Sequence, residues 1–265
     1  MTRSESGHSG SLWLLFRTIS QKAIVTMVRY PVDTASQFVG LFVLFLLVFF
    51  GGTAVGGQQF SDSLEGVVIG FFLFTVASGA YAGVANSVST ESEWGTLERL
   101  YISPYRFGTV VAVDALVNVV ISVLWAVVLL VLMMGVTGRW LSVDPLTVVP
   151  LLVATVTPVL GLGFAFGGAA LVYKRIESVF QLVQFAFVAL IAAPVGEVWI
   201  LRLLPASHGA YLTRRAIESN RSLLEFPSGE IALVFTTAIV YFTVGYYVFV
   251  RATTVARSRG VMGHY

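Results

Sequence analysis

Few residues in this sequence could do chemistry, and their placement narrows the kind. The three histidines, His8, His208 and His264, fall in the first residues, a loop and the last residues. There is no H-E-x-x-H to hold zinc and no G-x-S-x-G elbow to present a serine nucleophile. Neither lysine follows a glycine, since Lys22 follows Gln21 and Lys174 follows Tyr173, so the chain lacks the G-x-x-x-x-G-K-[ST] loop that cradles nucleotide phosphates. No catalytic centre, metal or cofactor is expected, and the chain does not read as an enzyme. What remains is a short series of polar side chains inside apolar runs: Asp114, Asn118 one turn later, Gln181 and Gln184. Such groups either hydrogen-bond to neighbouring helices or line a path for a polar substrate. Asp114 falls about two turns into its run, where a hydrated carboxylate near a helix N-terminus is the preferred reading.

The elements that must position these residues are long apolar runs. The chain has 265 residues, 57% of them hydrophobic and 11% charged, against roughly 25% charged in a soluble domain. A spanning helix needs about 20 apolar residues to cross about 30 Å of hydrocarbon. Six runs qualify, at about 38–55, 66–87, 108–134, 146–173, 179–195 and 231–250. The expected fold is therefore an all-α polytopic membrane protein with one transmembrane domain over residues 12–250. A disordered Ser/Gly-rich tail would precede it at 1–11, and a cytoplasmic tail would follow at 251–265. Without cysteine, no disulfide or thiol chemistry is available.

Before the first run, Leu12, Leu15, Phe16, Ile19, Ala23 and Met27 fall on one helical stripe, with Arg17, Gln21, Lys22 and Arg29 off it. This pattern predicts a basic amphipathic helix over 12–30 lying in the membrane interface; the alternative is a plain helix packed on the protein. Lysine and arginine favour the inner loops. With the N-terminus inside, the inner segments hold eleven of these residues and the outer segments only Arg139, Arg202, Arg214, Arg215 and Arg221. Both termini are thus expected in the cytoplasm. The outer segment 196–230 carries Trp199, Ile200, Leu201, Leu203 and Leu204 before Pro205. So apolar a loop predicts short helices folded back on the outer leaflet, or a re-entrant hairpin. Gly163, Gly167 and Gly168 have the spacing of close helix contacts, and Pro150, Pro158 and Pro194 are expected to kink their spans.

One block stands apart. ESEWGTLERLYISPYR, residues 91–106, holds Glu91, Glu93, Glu98, Arg99 and Arg106, whereas 66–90 holds no charge. Leu97, Leu100 and Tyr101 form one apolar stripe, with Trp94 a turn earlier, and Ser103-Pro104 ends the helix. The spacing predicts a short amphipathic helix on the inner membrane face, with its charges left for water or a partner.

Glu93-Trp94-Gly95-Thr96-Leu97-Glu98-Arg99-Leu100-Tyr101-Ile102-Ser103-Pro104 resembles the first cytoplasmic loop of ABC-2 type transporter permeases. Leu203-Leu204-Pro205 and Leu212-Thr213-Arg214-Arg215-Ala216-Ile217 are similar, more loosely, to that family's outer segment. The resemblance implies the transmembrane subunit of an ATP-driven exporter in the cell membrane. It also implies a second permease chain, identical or not, and a separate cytoplasmic ATPase that binds ATP and magnesium. The block would be the coupling helix that docks on that ATPase, through Glu93, Gly95, Thr96, Leu97, Glu98, Leu100, Ser103 and Pro104. Lys174, Arg175 and Glu177 would make a secondary inner contact or, in the preferred reading, merely set topology. Asn118, Gln181 and Gln184 would be the candidates for the substrate path. Gly56-Gly57-Gln58 echoes an ATPase signature but falls in the expected outer loop, so it is read as coincidence. Lipid is an expected partner and nucleic acid is not. The alternatives are an anchor or assembly subunit that transports nothing and an ion-coupled secondary transporter.

Overall fold

The computed structural model describes residues 12–61, 64–93, 105, 107–173 and 176–258. Among them every regular element is helical: α1 (Leu12–Arg29), α2 (Pro31–Ser61), α3 (Leu64–Glu93), α4 (Phe107–Thr137), α5 (Pro145–Val172), α6 (Glu177–Ile191), α7 (Ser207–Glu218) and α8 (Ser228–Ser258), with 3₁₀ turns at Trp199–Leu203 and Leu223–Glu225. Helices α2, α3, α4, α5 and α8 are long and apolar enough to cross a membrane, which makes this a membrane protein built on at least five such helices.

The expected run 179–195 departs from this pattern. Its helix, α6, has 15 residues and so spans about 22 Å at 1.5 Å per residue, short of the hydrocarbon thickness. Pro194 explains the early end. It restricts Ala193 away from helical geometry and cannot donate to the helical ladder, so the chain leaves the helix at Ala192 rather than kinking through it. The other helices outrun their apolar cores. α2 begins at Pro31, one residue after α1, with proline at the favoured first position, and it runs to Ser61, so Gly56-Gly57-Gln58 lies in helix rather than loop. α8 reaches Ser258, extending into the expected C-terminal tail. α5 opens on Asp144, whose side chain accepts from Leu146 N (3.2 Å) and Thr147 Oγ1 (2.6 Å). These bonds hold its carboxyl below the ordinary value.

α5 is the central helix, packed between α3 and α8. Gly163 and Gly167 turn toward α3, where a Cβ on Gly163 would lie 3.1 Å from Val84 Cβ. Gly168 turns toward α8, where a Cβ would lie 2.9 Å from Phe249 Cα. Gly161 and Gly245 bring α5 and α8 into backbone contact. Phe164 fills the space beside this crossing, edge-on to Phe242, Tyr246 and Phe249 at 5.4–5.8 Å. Tyr81 of α3 meets Phe180 and Phe187 of α6 edge-on at 6.3 and 5.3 Å.

α1 packs on α4 through Leu15, Ile19, Phe16 and Ala23. Most of its apolar stripe thus covers protein. A separate set, including Trp13, Leu14, Val25 and Val28, is exposed. Segment 196–230 folds into short elements, as expected. α7 buries His208, Leu212, Thr213 and Ile217 against the bundle. Its arginines are engaged by protein: Arg214 lies over Gly66 and Gly70 of α3, and Arg215 donates to Tyr211 Oη at 3.1 Å. Arg202, ahead of α7, pairs with Glu230 at 3.8 Å.

Candidate functional site

The site is built where α2 stands away from the bundle. In its most apolar window 11% of α2 is buried, against 56% for α3. Between α2 and the α3–α4 pair lies a cavity of about 780 Å³, within the 300–1,000 Å³ typical of ligand pockets. Asp33 and Gln37 line it from α2, Thr75 and Ser78 from α3, Asn118 and Ser122 from α4, and Gln184 from α6. Phe38 of α2 meets Trp125 of α4 at 5.2 Å and closes one side.

Small residues open this space. Gly79 and Gly83, four apart on α3, face Ser122 and Asn118, four apart on α4, so closely that a Cβ on Gly83 would lie 2.9 Å from Asn118 Cγ. This approach holds the polar side chains of α4 at the groove wall. Asn118 Nδ2 donates to the Asp114 backbone carbonyl at 2.9 Å and to its Oδ2 at 3.2 Å. Asp114 therefore orients Asn118 and is itself not a lining residue.

The hydrogen bonds decide what the wall presents. Thr75 donates to Phe71 O (2.8 Å) and Ser122 to Asn118 O (2.7 Å). Ser36 donates to Val32 O (2.6 Å) and Thr34 to Tyr30 O (3.2 Å). A hydroxyl has one proton to donate, so each of these oxygens is left with acceptor lone pairs. Gln37 Nε2 donates to Asp33 Oδ2 at 2.9 Å. Ser78 is the exception: it is 7% exposed, it lines the cavity, and its Oγ has no protein partner. A buried hydroxyl without a partner is costly, and a guest in the groove would satisfy it. The wall presents several acceptors, and among the described residues Asp33 is its one charged lining residue.

Of the residues singled out by sequence, Asn118 and Gln184 share this groove, while Gln181 is exposed and lies off it. Glu93 closes α3 and Glu177 opens α6. Gly95, Thr96, Leu97, Glu98, Leu100, Ser103 and Pro104, with Lys174 and Arg175, lie outside the described residues. Sequence reasoning missed Asp33, Gln37, Ser78 and Ser122. The four-residue spacings of Gly79/Gly83 and Asn118/Ser122 were the available signal.

A second polar cluster lies at the other end of α3, around α7. His208 is 1% exposed, its Nε2 is 3.3 Å from Glu230 O, and its Nδ1 has no protein partner. Burial pushes its pKa down, against the opposing pull of Glu230. Among the described residues no group of histidine, aspartate and glutamate is arranged to hold a metal ion. Compared with protein-family models and with curated proteins, the chain matches none.

Proposed function

We propose that this chain is the transmembrane subunit of an ATP-driven exporter of the ABC-2 type, and that the groove between α2, α3 and α4 is part of its substrate path. The carrying observation is that groove. Exposed acceptors and an unpartnered buried hydroxyl at membrane depth are expensive, and here they gather around a cavity of ligand size. α2, which forms one wall, has the smallest buried share of the five long helices, 11% against 22–61%, as a helix that moves during transport would. The energy source is inferred from a resemblance in the sequence. Residues 93–104 resemble a coupling helix, and the chain carries no phosphate-binding loop of its own.

In this reading α6 and the segment after it complete a sixth crossing, the termini are cytoplasmic, and the connection 94–106 meets the ATPase. Closure of the ATPase on nucleotide would press on that connection and thereby on α3 and α4, which both border the groove. Nucleotide and substrate couple only if each binds the inward and outward states differently. The test is to purify the full chain with its native partners and compare it with Glu98→Lys. The wild-type complex should hydrolyse ATP and transport. The variant should insert normally yet lose transport. Normal transport by Glu98→Lys would remove the docking role from this helix.

A further inference from the structure

We infer that the α2–α3–α4 groove selects a protonated amine carried on an apolar body, and excludes anions. The inference rests on the groove being a ligand site, as proposed above, and names the class of ligand it takes.

Three observations carry it. The first is charge. Among the described residues no lysine or arginine lines the cavity, and Asp33 is the one formal charge. The N-terminus of α2 offsets roughly half a charge, which leaves the described lining net negative. The second is hydrogen-bonding polarity. Thr75 and Ser122 have each given their proton to their own helix, and the amide protons of Asn118 face Asp114. Neutral donors remain on Ser78, Tyr30, Trp125 and Gln184, but none carries a positive charge. A carboxylate or phosphate would therefore meet no cation among the described lining residues, whereas an ammonium group brings up to three N–H bonds and a positive charge to Asp33. The third is the adjoining space. An apolar cavity of about 490 Å³ between α1 and α4 shares Met27, Ile121 and Trp125 with the polar one. A ligand with its head near Asp33 and Ser122 can lay its body there, against the face of Trp125, where an aromatic ring also favours a cation. Ser78 gives the groove a buried polar atom still lacking a partner.

The amine can belong to a free organic cation or to a lipid headgroup. The test uses the full chain alone in phosphatidylcholine nanodiscs, without ATP or ATPase, so its outcome is independent of coupling. The probe is 1-pyrenylmethylammonium, read by tryptophan-sensitised pyrene emission above that of empty nanodiscs. Its isosteres are 1-pyreneacetate and N,N,N-trimethyl-1-pyrenylmethylammonium. Saturable binding of the ammonium is expected, weaker binding of the trimethyl cation, and no saturable binding of the anion. Asp33→Asn keeps the acceptor for Gln37 and should weaken the ammonium about fivefold, the upper range for an exposed ion pair. Asp33→Glu should restore it, and Ser122→Ala should weaken it independently. Replacing half the lipid with phosphatidylethanolamine, which adds N–H donors at unchanged headgroup charge, reports the source. Several-fold competition assigns the site to an amine lipid, and no competition assigns it to a free amine. Equal saturable binding of 1-pyreneacetate, unchanged affinity in both Asp33→Asn and Ser122→Ala, or no saturable ammonium binding in either lipid together with no competition, would overturn the inference.

Discussion

Replacing Gly245 by alanine should destabilise the bundle more than any exposed glycine-to-alanine change, because its neighbour is backbone. A Cβ at Gly245 would overlap the Gly161 carbonyl and lie 2.7 Å from Gly161 Cα. In the reverse direction, a Cβ at Gly161 would lie 2.6 Å from the Tyr241 carbonyl carbon and 2.9 Å from Phe242 Cα. No side-chain rotation relieves either clash, so α5 and α8 must separate and loosen the ring contacts around Phe164. Overpacking a tight interior costs about 1–3 kcal/mol, and a backbone clash belongs at the upper end. Alanine also gains up to about 1 kcal/mol of helix propensity over glycine. Gly51→Ala and Gly135→Ala isolate that gain, since nothing lies within 4 Å of either added Cβ. Reversible unfolding in mixed micelles, at constant denaturant slope, should place Gly245→Ala about 2 kcal/mol below wild type and the two controls at or above it. Once one methyl has parted the helices, the second should cost less. The Gly161→Ala/Gly245→Ala double variant should therefore fall short of additivity by at least about 0.5 kcal/mol. Single variants indistinguishable from the controls, or a fully additive pair, would refute the backbone contact.

Further outcomes follow from the polar groups. Ser78→Ala removes a buried hydroxyl without a partner and should leave the empty protein as stable or up to about 1 kcal/mol more stable; an unfolding curve shifted down by more than that would mean the hydroxyl has a structural partner. His208 is held below its ordinary pKa by burial, so the unfolded chain binds the extra proton first. Its contribution to stability is complete above about pH 6.5 and is lost as pH falls from there through the folded value. Melting midpoints from pH 8 to 5 should fall less steeply in His208→Gln than in wild type, and parallel profiles would place the titration elsewhere. Arg202→Gln, which leaves Glu230 without its ion-pair partner, should lower the midpoint, with Arg139→Gln, an exposed pair partner of Glu65, as a near-neutral comparison.

Much of the architecture was legible because hydropathy and chain punctuation agree in α3, α4, α5 and α8. Their apolar cores, with Pro145 and Asp144 marking a start, leave little freedom in a helix that must satisfy its own backbone in lipid. At α6 hydropathy and helix diverge: the apolar run 179–195 continues past Ile191, where the helix ends. Hydropathy cannot see that Pro194 ends the ladder, although the proline itself was in plain view. The stripe on α1 was legible as amphipathic, but a stripe does not say what it faces. Leu15 and Ile19 meet α4 instead of lipid, which only tertiary packing decides.

The site was half legible. Asn118 and Gln184 stood out as amides within apolar runs, and they come together because α4 and α6 both border α3. Ser78, Thr75 and Ser122 did not stand out, since serine and threonine are ordinary in membrane helices and commonly donate to their own backbone. What distinguishes Ser78 is the lack of that bond, which no sequence shows. Gln181, three residues before Gln184 and so on nearly the same helix face, is exposed and does not line the groove, which the spacing alone does not show.

The central claim is that a separate ATPase drives this chain through residues 93–104. Its most direct test measures ATP hydrolysis in the complex isolated with the full chain from native membranes, before and after Glu98→Lys. The account predicts nucleotide hydrolysis that comigrates with the wild-type chain and is lost from the variant, whose insertion and melting midpoint are unchanged. Hydrolysis absent from the wild-type complex, or retained alongside normal transport in Glu98→Lys, would contradict it.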